Sequence, residues 1–149
     1  MCLRIDDQFI TRKKAKEFLE TPLIAKKNIT VYKVLERCTH EGKGIIYSYS
    51  SPHRGASYYP GELKSVEKFS ADILQVTWQW RIKINKGLHS YSAAAAEAYW
   101  TRNCSITGGR GLILIQCTIP KGTPYFKNKD GEYVSLKLQT PKEYKNEWH

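Results

Sequence analysis

The 149-residue sequence has few of the features that mark membrane, secreted or disulfide-rich proteins. No stretch approaches the roughly 18 uncharged apolar residues that span a bilayer, and the first residues lack the apolar core of a signal peptide. Only four cysteines are present, and none forms a C-x-x-C pair. We therefore expect a cytoplasmic protein with no membrane partner, whose cysteines are free and mostly buried thiols.

Catalytic signatures are scarce as well. The sequence has no G-x-S-x-G, H-E-x-x-H or Walker motif, which argues against the commonest hydrolases and nucleoside triphosphatases. Cys38 and His40 form the only close cysteine and histidine pair, and no second pair follows at the spacing of a zinc site. The sequence thus predicts a protein that is not an enzyme and that holds no metal or other cofactor.

Positive charge is the most prominent feature that is present. The chain has 24 Lys and Arg against 14 Asp and Glu, a formal net charge of +10 at pH 7. The cations are spread along the chain and are densest at Arg12, Lys13 and Lys14. Such a surface attracts anions, although a dedicated nucleic-acid binder usually concentrates its cations on one stripe. The composition indicates an anionic partner without identifying it.

The hydrophobic pattern predicts an α+β fold, in which a mainly antiparallel β-sheet packs against two short helices within a single domain, 1–149. The helices are expected at 11–20 and at 92–101, the second capped by Ser92. Strands are expected at 29–36 and 45–50, which form a hairpin, and at 112–119, a central strand covered on both faces. A closing hairpin is expected from 124–127 and 132–138.

The strongest alternation of apolar and polar residues lies between 73 and 84. It predicts one long strand whose core-facing side carries Leu74, Val76, Trp78, Trp80, Ile82 and Ile84. The opposite side, which includes Arg81 and Lys83, would face water.

Loops with breakers contain the candidate binding residues. Arginine supplies bidentate contacts to phosphate, tyrosine stacks on bases, and glycine-rich backbone such as 108–111 can cradle an anion. An ordinary structural role in a turn or in the core stays open for each candidate. The predicted ligand-binding residues are His53, Arg54, Tyr58, His89, Trp100, Arg110 and Lys121.

Several motifs, in order along most of the chain, carry a resemblance. They are the Met-Cys-Leu start, Ser-Pro-His-Arg-Gly at 51–55, Gly-Leu-His-Ser-Tyr at 87–91, and Ile-Pro-Lys-Gly-Thr-Pro-Tyr-Phe at 119–126 before Gly-Glu-Tyr-Val-Ser at 131–135. The sequence resembles small uncharacterised proteins of bacteriophages and prophages. The resemblance implies a phage context, with the cytoplasm of a bacterial host as the location, and it implies no mechanism.

The favoured expectation is a phage-type binding protein that sequesters a small anionic nucleotide signal, as anti-defence sponges do, and that forms a homo-oligomer. One alternative is binding of DNA or RNA along the polar face of the 73–84 strand, with help from the cluster of Arg12, Lys13, Lys14 and Lys16. Another is binding of an acidic host protein. An ADP-ribosyltransferase-like enzyme is less favoured. Its strand-one arginine is replaced by Lys33, and its late acidic pair is reduced to Glu132 with Val134 two residues on.

Overall fold

The computed structural model describes residues 3–40, 46–50, 58–107 and 112–144. The helices are α1 (Arg12–Glu20) and α2 (Ala93–Thr107). The strands are β1 (Leu3–Phe9), β2 (Leu23–Ile24), β3 (Ile29–His40), β4 (Ile46–Ser50), β5 (Leu63–Ser65), β6 (Ser70–Val76), β7 (Gln79–Lys86), β8 (Leu88–Tyr91), β9 (Leu112–Ile119), β10 (Pro124–Lys127), β11 (Glu132–Ser135) and β12 (Lys137–Gln139).

The described strands form two antiparallel sheets. The small sheet has three strands in the order β1-β7-β6, and the large sheet has nine, in the order β2-β10-β11-β8-β3-β9-β12-β5 with β4 added beside β3. The predicted α+β class with a mainly antiparallel arrangement and two helices is therefore confirmed.

Both predicted helices begin at their predicted caps. The Oγ1 of Thr11 accepts a hydrogen bond from the backbone N–H of Lys14 at 3.1 Å, and the Oγ of Ser92 accepts one from Ala95 at 3.3 Å. Helix α2 continues past the predicted end at 101 as far as Thr107. Polar residues such as Arg102 do not end a helix, whereas the glycines that follow Thr107 are breakers.

The prediction of one long strand over 73–84 is wrong. This segment contains the end of β6, a two-residue turn at Thr77 and Trp78, and most of β7. Val76 pairs with Gln79 across the turn, in which Thr77 has a φ of 55°. Because such a turn pairs residue i with residue i+3, an even-numbered position on β6 faces the same side as an odd-numbered position on β7. Alternation that looks continuous in sequence therefore changes face at the turn.

The change of face separates two tryptophans that the sequence placed side by side. Trp80 packs against the core between the small sheet and α1. Trp78 lies at the tip of the hairpin and is 91% exposed. Leu74 pairs with Arg81, so it shares the outward face with that side chain instead of the core.

The predicted strand 132–138 is also interrupted. Strand β11 pairs with β8 and β10, whereas β12 pairs with β5 and β9. At the break, the backbone N–H of Leu136 donates to the carbonyl of Pro124 at 3.2 Å. Val134 consequently belongs to the core beneath the small sheet and Leu138 to the core of the large sheet, where the sequence placed both on one face of one strand.

Strands β3 and β9 form the centre of the large sheet, and each face of this pair carries a separate core. The core on one face contains Val31, Leu35, Ile115 and Cys117. The core on the other face lies beneath α2, and its buried residues are Val34, Tyr91, Ala96, Tyr99, Leu112 and Leu114. The predicted central strand 112–119 is thus covered on both faces. Cys117 is a free, buried thiol, as predicted.

Candidate functional site

A lysine lies inside the large sheet. Lys33 is only 4% exposed, although lysine is among the residues that are least often buried. It occupies the middle of β3, directly opposite Ile115 on β9. Because side chains alternate along a strand, Lys33 shares its face with the core residues Val31 and Leu35. The register of the two central strands therefore fixes the lysine in the core.

The Lys33 ammonium group has two described contacts. Its Nζ donates a hydrogen bond to the backbone carbonyl of His89 at 2.7 Å. The same atom lies 4.5 Å from the ring centroid of Tyr58, whose side chain is buried in the same core. A cation held against an aromatic face is attracted by the ring's negative quadrupole. These two contacts replace part of the hydration that burial removes.

A second lysine lies against the same ring. The Nζ of Lys64 is 4.4 Å from the Tyr58 centroid. Lys64 belongs to β5 and pairs with Leu138 of β12, a core residue, so it faces the same side of the large sheet as Lys33. Unlike Lys33, it is only partly buried. We call Lys33, Tyr58 and Lys64 the lysine–tyrosine cluster.

Burial dominates the electrostatics of this cluster. Burial lowers the pKa of Lys33 from 10.5 to about 8, and the nearby Lys64 ammonium lowers it too. A Cys117 thiolate would act in the opposite direction, but burial raises the pKa of the Cys117 thiol to about 12. The thiol is therefore neutral near pH 7, where most Lys33 side chains carry a positive charge.

The charge of Lys33 is costly to the fold. A pKa lowered from 10.5 to about 8 corresponds to about 3 kcal/mol of destabilisation of the charged form at neutral pH. A well-packed apolar side chain of similar length would avoid this cost. Perturbed titratable groups of this kind are concentrated at functional sites. The lysine–tyrosine cluster is thus the candidate site.

The structure describes four of the seven predicted binding residues, and it brings two of them together. Tyr58 and His89 meet around Lys33, although His89 contributes its backbone carbonyl and not its imidazole to the described contact. Tyr58 is only 3% exposed. The described contacts of its ring are with the ammonium groups of Lys33 and Lys64.

The other two described residues lie elsewhere. Trp100 is on α2 and packs, with Tyr32, against the core on the opposite face of the large sheet. Lys121 is exposed in the turn after β9, where its backbone N–H donates to the Asn28 side chain at 2.9 Å. His53, Arg54 and Arg110 fall outside the described residues, and their assignment stays a prediction.

Lys33 and Lys64 were not among the predicted site residues. The sequence did contain a signal for Lys33, because it lies between Val31 and Leu35 on the same, apolar side of a strand. A charged residue at an inward position of a central strand is unusual enough to be examined. Lys64 offers no comparable pattern, since it lies in a three-residue strand.

An open groove of about 800 Å³ lies on the other face of β9. Its lining residues are Gly61, Gln116, Thr118, Gln139, Thr140, Pro141, Lys142 and Glu143. Amides and hydroxyls dominate this lining, and Lys142 balances Glu143. None of the four described binding residues lines the groove. It is therefore less suited to an anion than the lysine–tyrosine cluster.

Comparisons of the chain with known protein families, with curated proteins and with solved structures find no match. Within the described residues, no helix is long and apolar enough to cross a membrane. The same part of the chain contains no group of three or more His, Cys, Asp or Glu side chains that could hold a metal ion. The candidate site must therefore be judged on its own chemistry.

Proposed function

We propose that this protein binds and sequesters a small anionic nucleotide, and that the lysine–tyrosine cluster attracts its phosphate groups. The observation that carries the proposal is the pair of ammonium groups held against one ring, 4.5 and 4.4 Å from its centroid. The Lys64 ammonium lowers the pKa of Lys33, so the two charges repel each other, and a bound anion would offset that cost. The positive charge of the cluster, and the repulsion between its two ammonium groups, thus favour binding of a phosphate.

The two lysines have different roles in this proposal. Lys64 is partly exposed, so its ammonium group contacts the phosphate. Lys33 lies deeper, contributes positive charge through a medium of low dielectric constant, and holds the Tyr58 ring by its cation–π contact. Arg54, four positions before Tyr58 in the sequence, remains the predicted ligand of a further phosphate.

The nucleotide class is supported by charge and composition together. The chain combines a net charge of +10 with ten tyrosines and four tryptophans, which suits ligands that have both phosphates and flat bases. Its resemblance to small phage proteins agrees with sequestration of a host signal. A homo-oligomer in the cytoplasm of a bacterial host stays the expected setting, and light scattering would measure the oligomeric state.

Isothermal titration calorimetry tests the proposal directly. The purified full chain is titrated with cyclic dinucleotides, cyclic trinucleotides and cyclic ADP-ribose isomers, and the bound ligand is then recovered and analysed by chromatography. The proposal predicts binding of at least one compound, which is recovered intact. Absence of heat with every compound would overturn it, and a converted product would show an enzyme instead of a sponge.

A matched pair of variants assigns the binding to the cluster. Lys64→Met removes the accessible ammonium group and should weaken binding at least tenfold. Lys137→Met is the control, because Lys137 is exposed on the neighbouring strand β12, adjacent to Leu138, and faces away from the core. It should leave the affinity within about twofold. Equal losses in both variants would indicate non-specific attraction by net charge.

A further inference from the structure

The small sheet presents a second basic surface, separate from the lysine–tyrosine cluster. One face of this sheet packs on α1 and on Phe126 of the large sheet. The other face holds a cavity of about 190 Å³, whose lining residues are Arg4, Leu74, Val76, Arg81, Ile82 and Lys83. We call this cavity together with Trp78, at the tip of the adjoining hairpin, the hairpin surface.

The cations of the hairpin surface lie close together, and the described residues form no ion pair with them. Arg4 and Lys83 are directly opposite each other on β1 and β7, an arrangement that is unfavourable for like charges. Among the described residues, neither these two nor Arg81 has an ion pair, and the Nε of Arg81 is buried without a hydrogen-bond partner. Three positive groups are therefore placed where an anion would stabilise them.

One acidic side chain lies beside these cations. Asp72 is opposite Lys83 on the other neighbouring strand, β6, and its Oδ2 accepts a hydrogen bond from the Asn85 side chain at 2.8 Å. Across the described side chains of this face, three cations thus outnumber one carboxylate. The described side chains of this face therefore carry a net positive charge.

Trp78 adds an aromatic ring to this charge. It is 91% exposed, more than any other large hydrophobic side chain among the described residues, and Leu74 nearby is 46% exposed. Exposing an indole to water is unfavourable unless the ring has a partner. Trp78 is a flat ring at the tip of a hairpin whose second strand carries Arg81 and Lys83. Single-stranded bases can stack on such a ring while cations contact their phosphates.

We infer that the hairpin surface binds single-stranded nucleic acid, with Trp78 stacking on a base and with Arg4, Arg81 and Lys83 contacting phosphates. A duplex fits less well because its bases are already stacked and are not available to one exposed ring. The inference concerns a different surface from the proposed nucleotide site and does not depend on it.

Fluorescence anisotropy with labelled 12-nucleotide single strands of DNA and RNA, and with the corresponding duplexes, tests the inference. We expect at least tenfold tighter binding of single strands. Trp78→Ala should weaken that binding about tenfold, and Trp78→Phe should restore most of it because phenylalanine also stacks. Arg81→Ala should lower the slope of log affinity against log salt by about 0.7. Lys27→Ala is the charge control, because Lys27 is an exposed lysine in the loop between β2 and β3.

The outcomes separate the possible occupants. Unchanged affinity in Trp78→Ala, equal losses in Lys27→Ala and Arg81→Ala, or tighter binding to duplexes or to vesicles of anionic phospholipid would each overturn the inference. The two proposals also fail separately. Lys64→Met should leave single-strand binding intact, whereas Trp78→Ala should leave nucleotide titrations intact. Because Trp78 is almost fully exposed, its replacement is not expected to unfold the chain.

Discussion

The cores of the two sheets differ in what they enclose. The core between the small sheet and α1 is built from apolar side chains, and its buried residues are Leu3, Ile5, Ala15, Ile82, Ile84, Phe126 and Val134. The core of the large sheet surrounds the Tyr58 ring, the neutral Cys117 thiol and the charged Lys33. The buried residues of the first core are all apolar. The second gives up part of its stability to keep a positive charge inside.

The positions of positive charge show the same contrast. On the small sheet the cations lie on the outward face, where Arg4 is exposed and Arg81 and Lys83 are partly exposed. In the large sheet, Lys33 is only 4% exposed, and its ammonium group lies against the Tyr58 ring, which the partly exposed Lys64 also contacts.

The largest effect is expected in the apolar core. Phe126 is 2% exposed, and its ring centroid is 4.9 Å from that of Phe69 and 5.6 Å from that of Phe18. Phe126→Ala should lower the free energy of unfolding by about 4 kcal/mol, because it leaves a cavity and removes ring contacts. Urea denaturation measures the loss. A loss below about 1 kcal/mol would show that this core is loosely packed.

A second large effect is expected where the two sheets join. Gly87 connects β7 to β8 with a φ of +149°, and a Cβ there would lie 2.3 Å from Cγ2 of Val134. Gly87→Ala should cost about 3 kcal/mol through strain and overpacking. Gly122→Ala is the matched control, since Gly122 also has a positive φ, +88°, but no atom lies within 4 Å of its Cβ position.

Thermal unfolding of the two glycine variants separates strain from crowding. Gly122→Ala should cost about 1 kcal/mol, from backbone strain alone. If both variants lost the same amount, the close approach of Val134 to the sheet junction would have no energetic role.

Two tryptophans that are two residues apart offer a smaller and sharper contrast. Trp80→Ala should cost about 2 kcal/mol because the ring packs partly into the apolar core, whereas Trp78→Ala should change stability by less than about 0.5 kcal/mol. Denaturation of the two variants under one set of conditions measures the difference. Equal losses would contradict the placement of the hairpin turn.

The smallest expected effect is a pH dependence caused by Lys33. Its pKa is about 8 in the folded chain and 10.5 in the reference state, so the unfolded state binds more protons between these values and stability rises with pH. Cys117 has the opposite effect above pH 9, because burial raises its pKa to about 12. The free energy of unfolding should therefore increase by about 1 kcal/mol from pH 7 to pH 9 and fall above about pH 10.

Lys33→Met is the control for this pH dependence. It should be more stable than the natural chain at pH 7, because the buried charge is gone, and it should lack the rise in stability. A variant that is less stable at pH 7 and keeps the rise would show that another group is responsible.

The sequence was informative where one element provides its own signal. Helix α1 has a cap at Thr11 and apolar residues at helical spacing, and β9 is an almost unbroken apolar run, so both could be located. The errors at Trp78 and Leu136 share a cause. Alternation along the chain cannot show whether a strand continues, turns back, or changes its partner strand, since hydrogen bonding to other parts of the chain decides that.

Only part of the candidate site could be predicted from the sequence, for a related reason. Tyr58 and His89 were identified by their chemical types, yet the group that they surround is Lys33, which a pairing of β3 with β9 places in the core. Lys64 enters the cluster through the pairing of β5 with β12, two short strands whose paired residues Lys64 and Leu138 are 74 positions apart. Contacts between distant strands carry no local signal in the sequence.

The most direct test of the lysine–tyrosine cluster is proton uptake on nucleotide binding. A bound phosphodiester should raise the pKa of Lys33, so at pH 8, where about half of the Lys33 side chains are neutral, binding should take up as much as about half a proton. Calorimetry of the best-binding cyclic nucleotide in two buffers with different ionisation enthalpies measures this uptake. We predict buffer-dependent heats at pH 8, no such dependence at pH 6.5, and loss of the dependence in Lys33→Met. Identical heats in the two buffers at pH 8 would contradict an anion site at this cluster.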